Sequence, residues 1–382
     1  MKPLRILVPF GGVAAYGSER ATLRIMESLK RRGARLYIIT REDACPPVKR
    51  IMDEMGVEQS VVVWGPLLGK NLMNPLELFS VFSGLVKTSL EVSRQVKKFK
   101  PTHLYFGNIL YFFYSSLALV HLKIPIIYRL ADPVPKKVYN FIFRRFIVNK
   151  TAHFVCNSQF IKQHALEKGI SEKKLSVIYT PPPNDPPARI SRRNPYRQGE
   201  EPFILSYIGQ ISRRKGVHCF IEMAIKILKT RQDIVFYIAG DVEYKNPFAK
   251  SEMARVQALG LNSRIVFLGF LEETDELYQA TDILCVPSLW GEPLANIVLE
   301  AKVFGVPSVI FPDGGLPEMV EHQVDGFICK EKTAKALEEG VFFFLESESR
   351  LINAKKAARE SLRKFDRDKI TDEWLKVFEE AR

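Results

Sequence analysis

Phe203-Ile-Leu-Ser-Tyr-Ile208, then Gly209-Gln-Ile-Ser-Arg-Arg-Lys-Gly216, then a run with apolar residues at Val217, Phe220, Ile221, Ala224, Ile225 and Leu228, decides the fold. The first six residues have the length and composition of a buried strand, and the spacing from 217 to 228 is that of one helix face. A second apolar run, Ile234–Ala239, follows at once. Parallel strands need a crossover, and a helix of this length supplies one, so residues 203–239 read as a βαβ unit.

The chain opens in the same way. A strand, Ile6–Val8, enters a loop that carries Gly11, Gly12 and Gly17, and a helix follows with Leu23, Met26 and Leu29 on one face. That helix stops near Arg31-Arg-Gly33, with basic residues in its last turn and glycine just beyond, and Leu36–Thr40 is the next strand. Between the two units lies Thr180-Pro-Pro-Pro-Asn-Asp-Pro-Pro-Ala188, which can continue neither a helix nor a central strand. The expected class is α/β: two Rossmann-like, doubly wound parallel-sheet domains separated by a cleft. Their expected limits are 1–180 and 201–350, with a Pro-rich linker at 181–200. Residues 351–382 read as C-terminal helices placed to cross back onto the first domain, with Leu362, Phe365, Ile370, Trp374, Leu375 and Phe378 buried.

Of 382 residues, 46% are hydrophobic and 26% charged, a globular mixture that excludes disordered and collagenous classes. Cys45, Cys156, Cys219, Cys285 and Cys329 are scattered, without metal-ligand spacing, which points to reduced thiols in a cytoplasmic protein and to no zinc site. Residues 1–190 hold 29 basic and 13 acidic side chains, so the whole excess of the +13 chain sits in the first half. A field of that sign attracts phosphates, nucleic acid or an anionic membrane, and equally serves as a solvated basic face. The N-terminus has too short an apolar run for a signal peptide. Leu104–Leu122, the longest uncharged stretch, reads as strand, turn and buried helix (Ile109–Leu122), not as a bilayer span.

The sharpest chemical segment is Pro287-Ser-Leu-Trp-Gly-Glu-Pro-Leu-Ala-Asn-Ile-Val-Leu-Glu-Ala301, after a strand at Ile283–Val286. Pro293 suits a first helical position. The backbone amides of Ala295, Asn296 and Ile297 would then sit at a positive dipole end, a natural seat for a diphosphate. Eight helical residues would separate Glu292 from Glu300 by ~12 Å, suiting one elongated ligand and not two carboxylates flanking a single bond. Taken singly, Glu292 reads better as a capping acid and Glu300 as a surface residue. Arg213, Arg214 and Lys215 form a basic cluster in the loop of the second βαβ unit, where a lysine can reach a phosphate. No GxxxxGK[ST] occurs, and Asp366-Arg-Asp368 lies in the helical tail as a solvent-facing cap.

Together these motifs resemble glycosyltransferase family 4, the retaining glycosyltransferases of the GT-B fold, over nearly the whole chain. The resemblance is carried by Glu292-x7-Glu300 and Gly305-Val-Pro307, by Asp313-Gly-Gly-Leu-Pro-Glu-Met-Val320 and Asp325-Gly326, and by Gly209…Lys215-Gly216. Gly17-Ser-Glu-Arg and Val155-Cys-Asn-Ser158 add to it. It implies catalytic roles for Glu292, Asp132 and Lys215. Donor contacts would come from Gly209, Arg213, Arg214, Lys215, Ala295, Asn296, Ile297 and Glu300, with Glu292 on the transferred sugar and Glu300 on the ribose. Gly12, Gly17 and Arg129 would form the acceptor loop. The donor would be a UDP- or GDP-sugar, with no metal or other cofactor needed.

Two positions depart from the family. Gln210 stands where many relatives have arginine, leaving Arg213 or Arg214 to supply the charge. Ala131 stands where relatives often carry histidine, beside the retained Asp132.

The implied acceptor is a glycan or lipid-linked molecule on the basic first domain, and no nucleic-acid module is recognisable. Lys136–Lys150 interleaves aromatic and basic residues. It reads either as a segment lying on an anionic membrane or as a buried helix with snorkelling ends. Two other readings on the same fold stay open: a nucleotide-sugar-binding pseudo-enzyme and a nonhydrolysing nucleotide-sugar epimerase.

Overall fold

The computed structural model describes residues 3–13, 17–65, 75–133, 143–183, 202–241 and 247–381. They form two compact units, Met1–Pro181 with Asp366–Arg382, and Pro182–Phe365. Residues 184–200 of the Pro-rich linker lie outside the described part, as do 136–142 of the aromatic-basic stretch.

In the first unit, strands β1 (Arg5–Pro9), β2 (Arg35–Arg41), β3 (Glu58–Val62), β4 (His103–Phe106), β5 (Ile126–Leu130), β6 (His153–Cys156) and β7 (Leu175–Val177) form one sheet. Its order is β3-β2-β1-β4-β5-β6-β7, and every pairing is parallel. In the second, β8 (Phe203–Ile208), β9 (Ile234–Ala239), β10 (Ile265–Gly269), β11 (Ile283–Val286), β12 (Ser308–Ile310) and β13 (Gly326–Ile328) run in the order β10-β9-β8-β11-β12-β13, again all parallel. The central strands are continuous apolar runs because helices cover both faces of a parallel sheet. Each sheet reverses its winding beside its first strand, between β1 and β4 and between β8 and β11. The carboxyl edge there is where ligands bind in open α/β sheets.

Three expectations change. Ile109–Leu122 is two short helices, Ile109–Tyr114 and Ser116–His121. The break falls at buried Ser115, where the Tyr114 carbonyl accepts at 3.1 Å from Ser89 of the helix Pro75–Phe99. The tail divides as well. The helix Glu348–Glu360 and the turn Ser361–Phe365 belong to the second unit, and only Asp366–Arg382 groups with the first. Asp366 caps the helix Arg367–Glu380 by accepting from Lys369 N at 2.9 Å, and Trp374 and Phe378 of that helix are buried against Tyr105 and His103. Leu362 and Leu375 are half-buried only.

Candidate active site

Two loops meet at the reversal point of the second sheet, one leaving β8 at Gly209 and one leaving β11 at Pro287. Arg213–Lys215 form a single 3₁₀ turn that ends at Gly216 with φ +73°. A β-carbon on Gly216 would lie 1.7 Å from the Pro287 carbonyl oxygen, so only glycine lets these loops touch. Leu289 N donates to Arg214 O at 2.8 Å and locks the contact.

This contact presents Lys215 to Glu292. Lys215 Nζ lies 2.5 Å from Glu292 Oε2, which also accepts from Ser288 Oγ at 3.1 Å and Trp290 Nε1 at 2.9 Å. The Glu292 side chain is only 9% exposed, and burial of a carboxylate demands such partners. The Trp290 ring carries the Arg214 guanidinium 4.7 Å and the Lys215 ammonium 5.4 Å from its centre, a double cation–π contact. Arg214 also donates to Gln210 Oε1 at 3.1 Å, so it is Arg214 that sits against the departing position. Arg213 turns to Phe248, 5.0 Å from that ring. Tyr207 donates to Gln210 O at 2.8 Å and props this loop; burial, with the Glu292 charge adding, holds its hydroxyl far above the usual tyrosine range and thus protonated.

The helix after Glu292 starts later than Pro293. Gly291 N donates to Asp313 Oδ2 at 2.6 Å, Gly315 N donates to Glu292 O at 2.7 Å, and Lys332 pairs with Asp313. Gly314, at φ +58°, lies where a β-carbon would be 2.2 Å from Glu292 O. Residues 291–294 are thereby tied to the 313–315 loop, and the helix runs from Asn296 to Val303 with Ala295 as its N-cap. Glu292 lies outside the helix, so the ~12 Å helical separation from Glu300 does not apply. Asn296 and Ile297 are the first two helical residues, whose amides lack an i−4 carbonyl within the helix. Glu300, one turn on, accepts from Tyr278 OH at 3.1 Å; the Tyr278 ring is stacked on Phe304. Behind the helix, Lys302 and Asp325 form a buried ion pair at 2.5 Å that also reaches Ser361.

The first unit holds a separate polar group at the carboxyl ends of β1 and β5. Gly12 has φ +67°, and its carbonyl accepts from Cys45 N at 2.8 Å. Gly17 opens the helix Gly17–Arg31 and is exposed. Arg129, buried on β5, donates to Thr180 Oγ1 at 3.2 Å. Asp132 is exposed just past β5, next to Ala131, whose carbonyl accepts from Asn157 Nδ2 at 3.4 Å. Glu19 joins them: burial raises its pKa, the Asp132 charge acts in the same direction, and Ser18 and Arg129 oppose.

Sequence reading assigned no role to Glu19, Ser288 or Trp290. Glu19 stood in the Gly-Ser-Glu-Arg motif and the other two inside the quoted 287–301 segment, but their partners are distant in sequence or on a turn whose shape only tertiary contacts fix. Ser158 caps the helix Gln159–Glu167 by accepting from Ile161 N at 3.2 Å, which is a structural reason for the serine in its motif.

Comparison with known proteins follows the same division. The family profile "Glycosyltransferase Family 4" matches residues 15–181, and "Glycosyl transferases group 1" matches 189–361. An uncharacterised glycosyltransferase of Methanocaldococcus jannaschii is 31% identical over 196 residues, 50% of this chain and 48% of that protein. The UDP-Gal:alpha-D-GlcNAc-diphosphoundecaprenol alpha-1,3-galactosyltransferase of Escherichia coli is 30% identical over 34% of this chain and 33% of its own. The chain spans about half the length of the curated relatives it matches first, 48%, 49% and 46%. Among solved structures, a glycosyltransferase of Rickettsia africae superposes with a TM-score of 0.80 at 19% identity, covering 100% of this chain and 99% of that one. The Anabaena HepE protein in complex with UDP and glucose superposes at 0.78 and 18% identity, over 99% and 100%. The chain belongs to glycosyltransferase family 4 and carries the GT-B fold.

Proposed function

We propose that the protein transfers a sugar from a nucleoside-diphosphate sugar to a hydroxyl of a glycan or lipid-linked acceptor, with retention at the anomeric carbon. The observation that carries this reading is the meeting of Lys215 and Glu292, from two different loops, beside the start of the helix that bears Glu300. A diphosphate is matched by a lysine and two helix-terminal amides, and sugar or ribose hydroxyls by two carboxylates. In this reading Lys215, Gly209, Arg214 and the 295–297 backbone hold the diphosphate, Arg213, turned to Phe248, adds only to the positive field, Glu292 takes the sugar hydroxyls and Glu300 the ribose. The acceptor hydroxyl attacks from the face of the departing diphosphate. Its proton passes to a diphosphate oxygen while the bond from the anomeric carbon to that diphosphate breaks. Positive charge aimed at the leaving group supplies the stabilisation, so no metal is required. The complex of HepE with UDP and glucose and the galactosyl chemistry in the name of the Escherichia coli relative support the donor class.

Gly12, Gly17, Arg129 and Asp132 belong to acceptor handling, with Asp132 as the carboxylate that orients the acceptor hydroxyl. A thermal-shift panel of UDP, GDP, ADP and their sugars tests the donor reading, since a ligand that binds only the folded state raises its stability by mass action. Anomeric analysis of the product by NMR tests retention, and an inverted product would end that part.

The cytoplasmic face of an anionic membrane is the proposed working place. No helix among the described residues is long and apolar enough to cross a bilayer. On the helix Pro75–Phe99, however, Leu76, Phe79 and Phe82 recur on one face and are 77%, 72% and 63% exposed, on the half of the chain with the basic excess. Such a face suits shallow insertion, with lysine and arginine near headgroups. By contrast Phe143 and Ile147 of the aromatic-basic stretch are buried in the first unit and are not available to lipid. Flotation with vesicles containing phosphatidylglycerol checks this: binding at low salt that Phe79→Ser with Phe82→Ser abolishes supports it, and no binding at low salt refutes it.

A further inference from the structure

We infer that Glu292 discriminates between an intact sugar nucleotide and the spent nucleoside diphosphate, by competing with the diphosphate for Lys215 whenever no sugar hydroxyl engages its carboxylate. The inference rests on the donor reading above and adds a selectivity to it.

The geometry sets up the competition. Lys215 Nζ and Glu292 Oε2 are in direct contact at 2.5 Å, so the charge a diphosphate would need is already matched. A diphosphate entering beside an intact pair meets the Glu292 carboxylate as well as the ammonium, and like charges in a partly desolvated site repel. The two partners are unequal. Glu292 is 9% exposed and is also held by two neutral donors, the buried Ser288 hydroxyl and the indole of half-buried Trp290. Lys215 is 25% exposed, on a four-carbon stem, with the face of Trp290 beside it. Lysine is therefore the partner that moves, and when it leaves, the carboxylate keeps two hydrogen bonds.

A bound sugar changes the balance. Its hydroxyls donate to the carboxylate, and an anion that accepts more hydrogen bonds competes less for a cation. Lys215 is then free to swing to the diphosphate. Once the sugar has left on the acceptor, those hydroxyls are gone and Glu292 recaptures the lysine, loosening the nucleotide. The residue that recognises the sugar thus also lowers the affinity for a product that lacks it.

This predicts a sign opposite to that of an ordinary contact residue. Calorimetric titration of the full chain uses UDP, GDP and inorganic pyrophosphate, the last independent of the base, alongside UDP-glucose and GDP-mannose. Glu292→Gln keeps the shape and an acceptor for Ser288 and Trp290 but removes the charge. It should bind the preferred nucleoside diphosphate and pyrophosphate about fivefold or more tighter than the unmodified protein, the lower end of usual site–site coupling. Glu292→Ala should change in the same direction. Adding Lys215→Met should erase the difference between the unmodified protein and the Glu292→Gln variant. Equal or weaker diphosphate binding by both Glu292 variants, with folding verified by melting, overturns the inference while leaving the donor reading intact. Failure of the unmodified protein to bind any of the five ligands overturns the donor reading, and the inference with it.

Discussion

Replacing Lys302 by methionine tests how the donor helix is anchored. Lys302 is 1% and Asp325 3% exposed, and the two touch at 2.5 Å. Lys302 also donates to Ser361 Oγ at 2.6 Å, and Asp325 Oδ1 accepts from Glu321 N at 2.9 Å. The pair thus ties the helix Asn296–Val303 to the 321–325 turn and to the end of the helix Glu348–Glu360. Lys302→Met is close in length and apolar, so the loss of charge dominates: Asp325 stays buried with one backbone donor. Removing one partner of a buried pair costs about 3–5 kcal/mol. At about 2–4 °C per kcal/mol for a unit of this size, the second unit's transition should fall by roughly 6–20 °C. Lys302→Met with Asp325→Asn removes both charges and keeps the acceptor for Glu321 N, so most of the lost stability should be recovered. Burial lowers the Lys302 pKa, against the opposing pull of Asp325. Between that lowered value and 10.5 the unfolded chain binds the extra proton, so stability rises with pH across that window, and Lys302→Met should abolish the rise. Differential scanning calorimetry reads all three. A single-variant loss below about 1 kcal/mol, or a double variant as unstable as the single one, refutes the reasoning.

Other outcomes follow from the same geometry. Gly216→Ala would drive a β-carbon into the Pro287 backbone at φ +73°; turnover should fall on the order of 10²-fold through displacement of Lys215, with a lower melting temperature. Trp290→Phe keeps a ring beneath Arg214 and Lys215 but removes a donor to Glu292, so kcat should fall roughly tenfold or more, and pyrophosphate should bind more weakly because the carboxylate, with one donor fewer, holds Lys215 harder. Glu300→Ala should weaken donor binding, while Glu292→Ala should depress turnover more; equal, negligible effects on both would remove their assigned roles. Glu19→Gln should raise the melting temperature at pH 7. The folded pKa of Glu19 lies above its ordinary value of 4.5, so the native state is relieved only as pH falls through that higher value; the variant's advantage should shrink through that interval and vanish below 4.5.

The strands and loops of this fold were legible because their causes are local. Phe203–Ile208, Ile234–Ala239 and Ile283–Val286 begin and end where their apolar runs do. What escaped the sequence depends on contacts between distant residues. Pro293 has the right chemistry for a first helical residue, yet Gly315 and Asp313, more than twenty positions away, take the hydrogen bonds of the 291–292 backbone and delay the helix to Asn296. The tail shows the same limit: its helical character was readable, but the division at Phe365 depends on which surface each helix covers.

The delayed helix start bears on chemistry as well as on prediction. Had the helix begun at Pro293, Glu292 would stand at its N-cap, where its carboxylate would be spent on the first free amides. Held on a turn by Gly314 and Gly315, Glu292 instead turns its oxygen to Ser288, Trp290 and Lys215, and the helix opens with Ala295, whose side chain makes no cap hydrogen bond. An apolar cap leaves the terminal dipole to be met by something other than its own side chain, and an acidic cap would have repelled a diphosphate from the same place. A Gly314→Ala change, which sets a β-carbon 2.2 Å from Glu292 O, therefore displaces the turn that holds Glu292 against Lys215: turnover should fall while pyrophosphate, meeting a released Lys215, binds more tightly, whereas a loop that merely connects β12 to the next turn would lose stability alone.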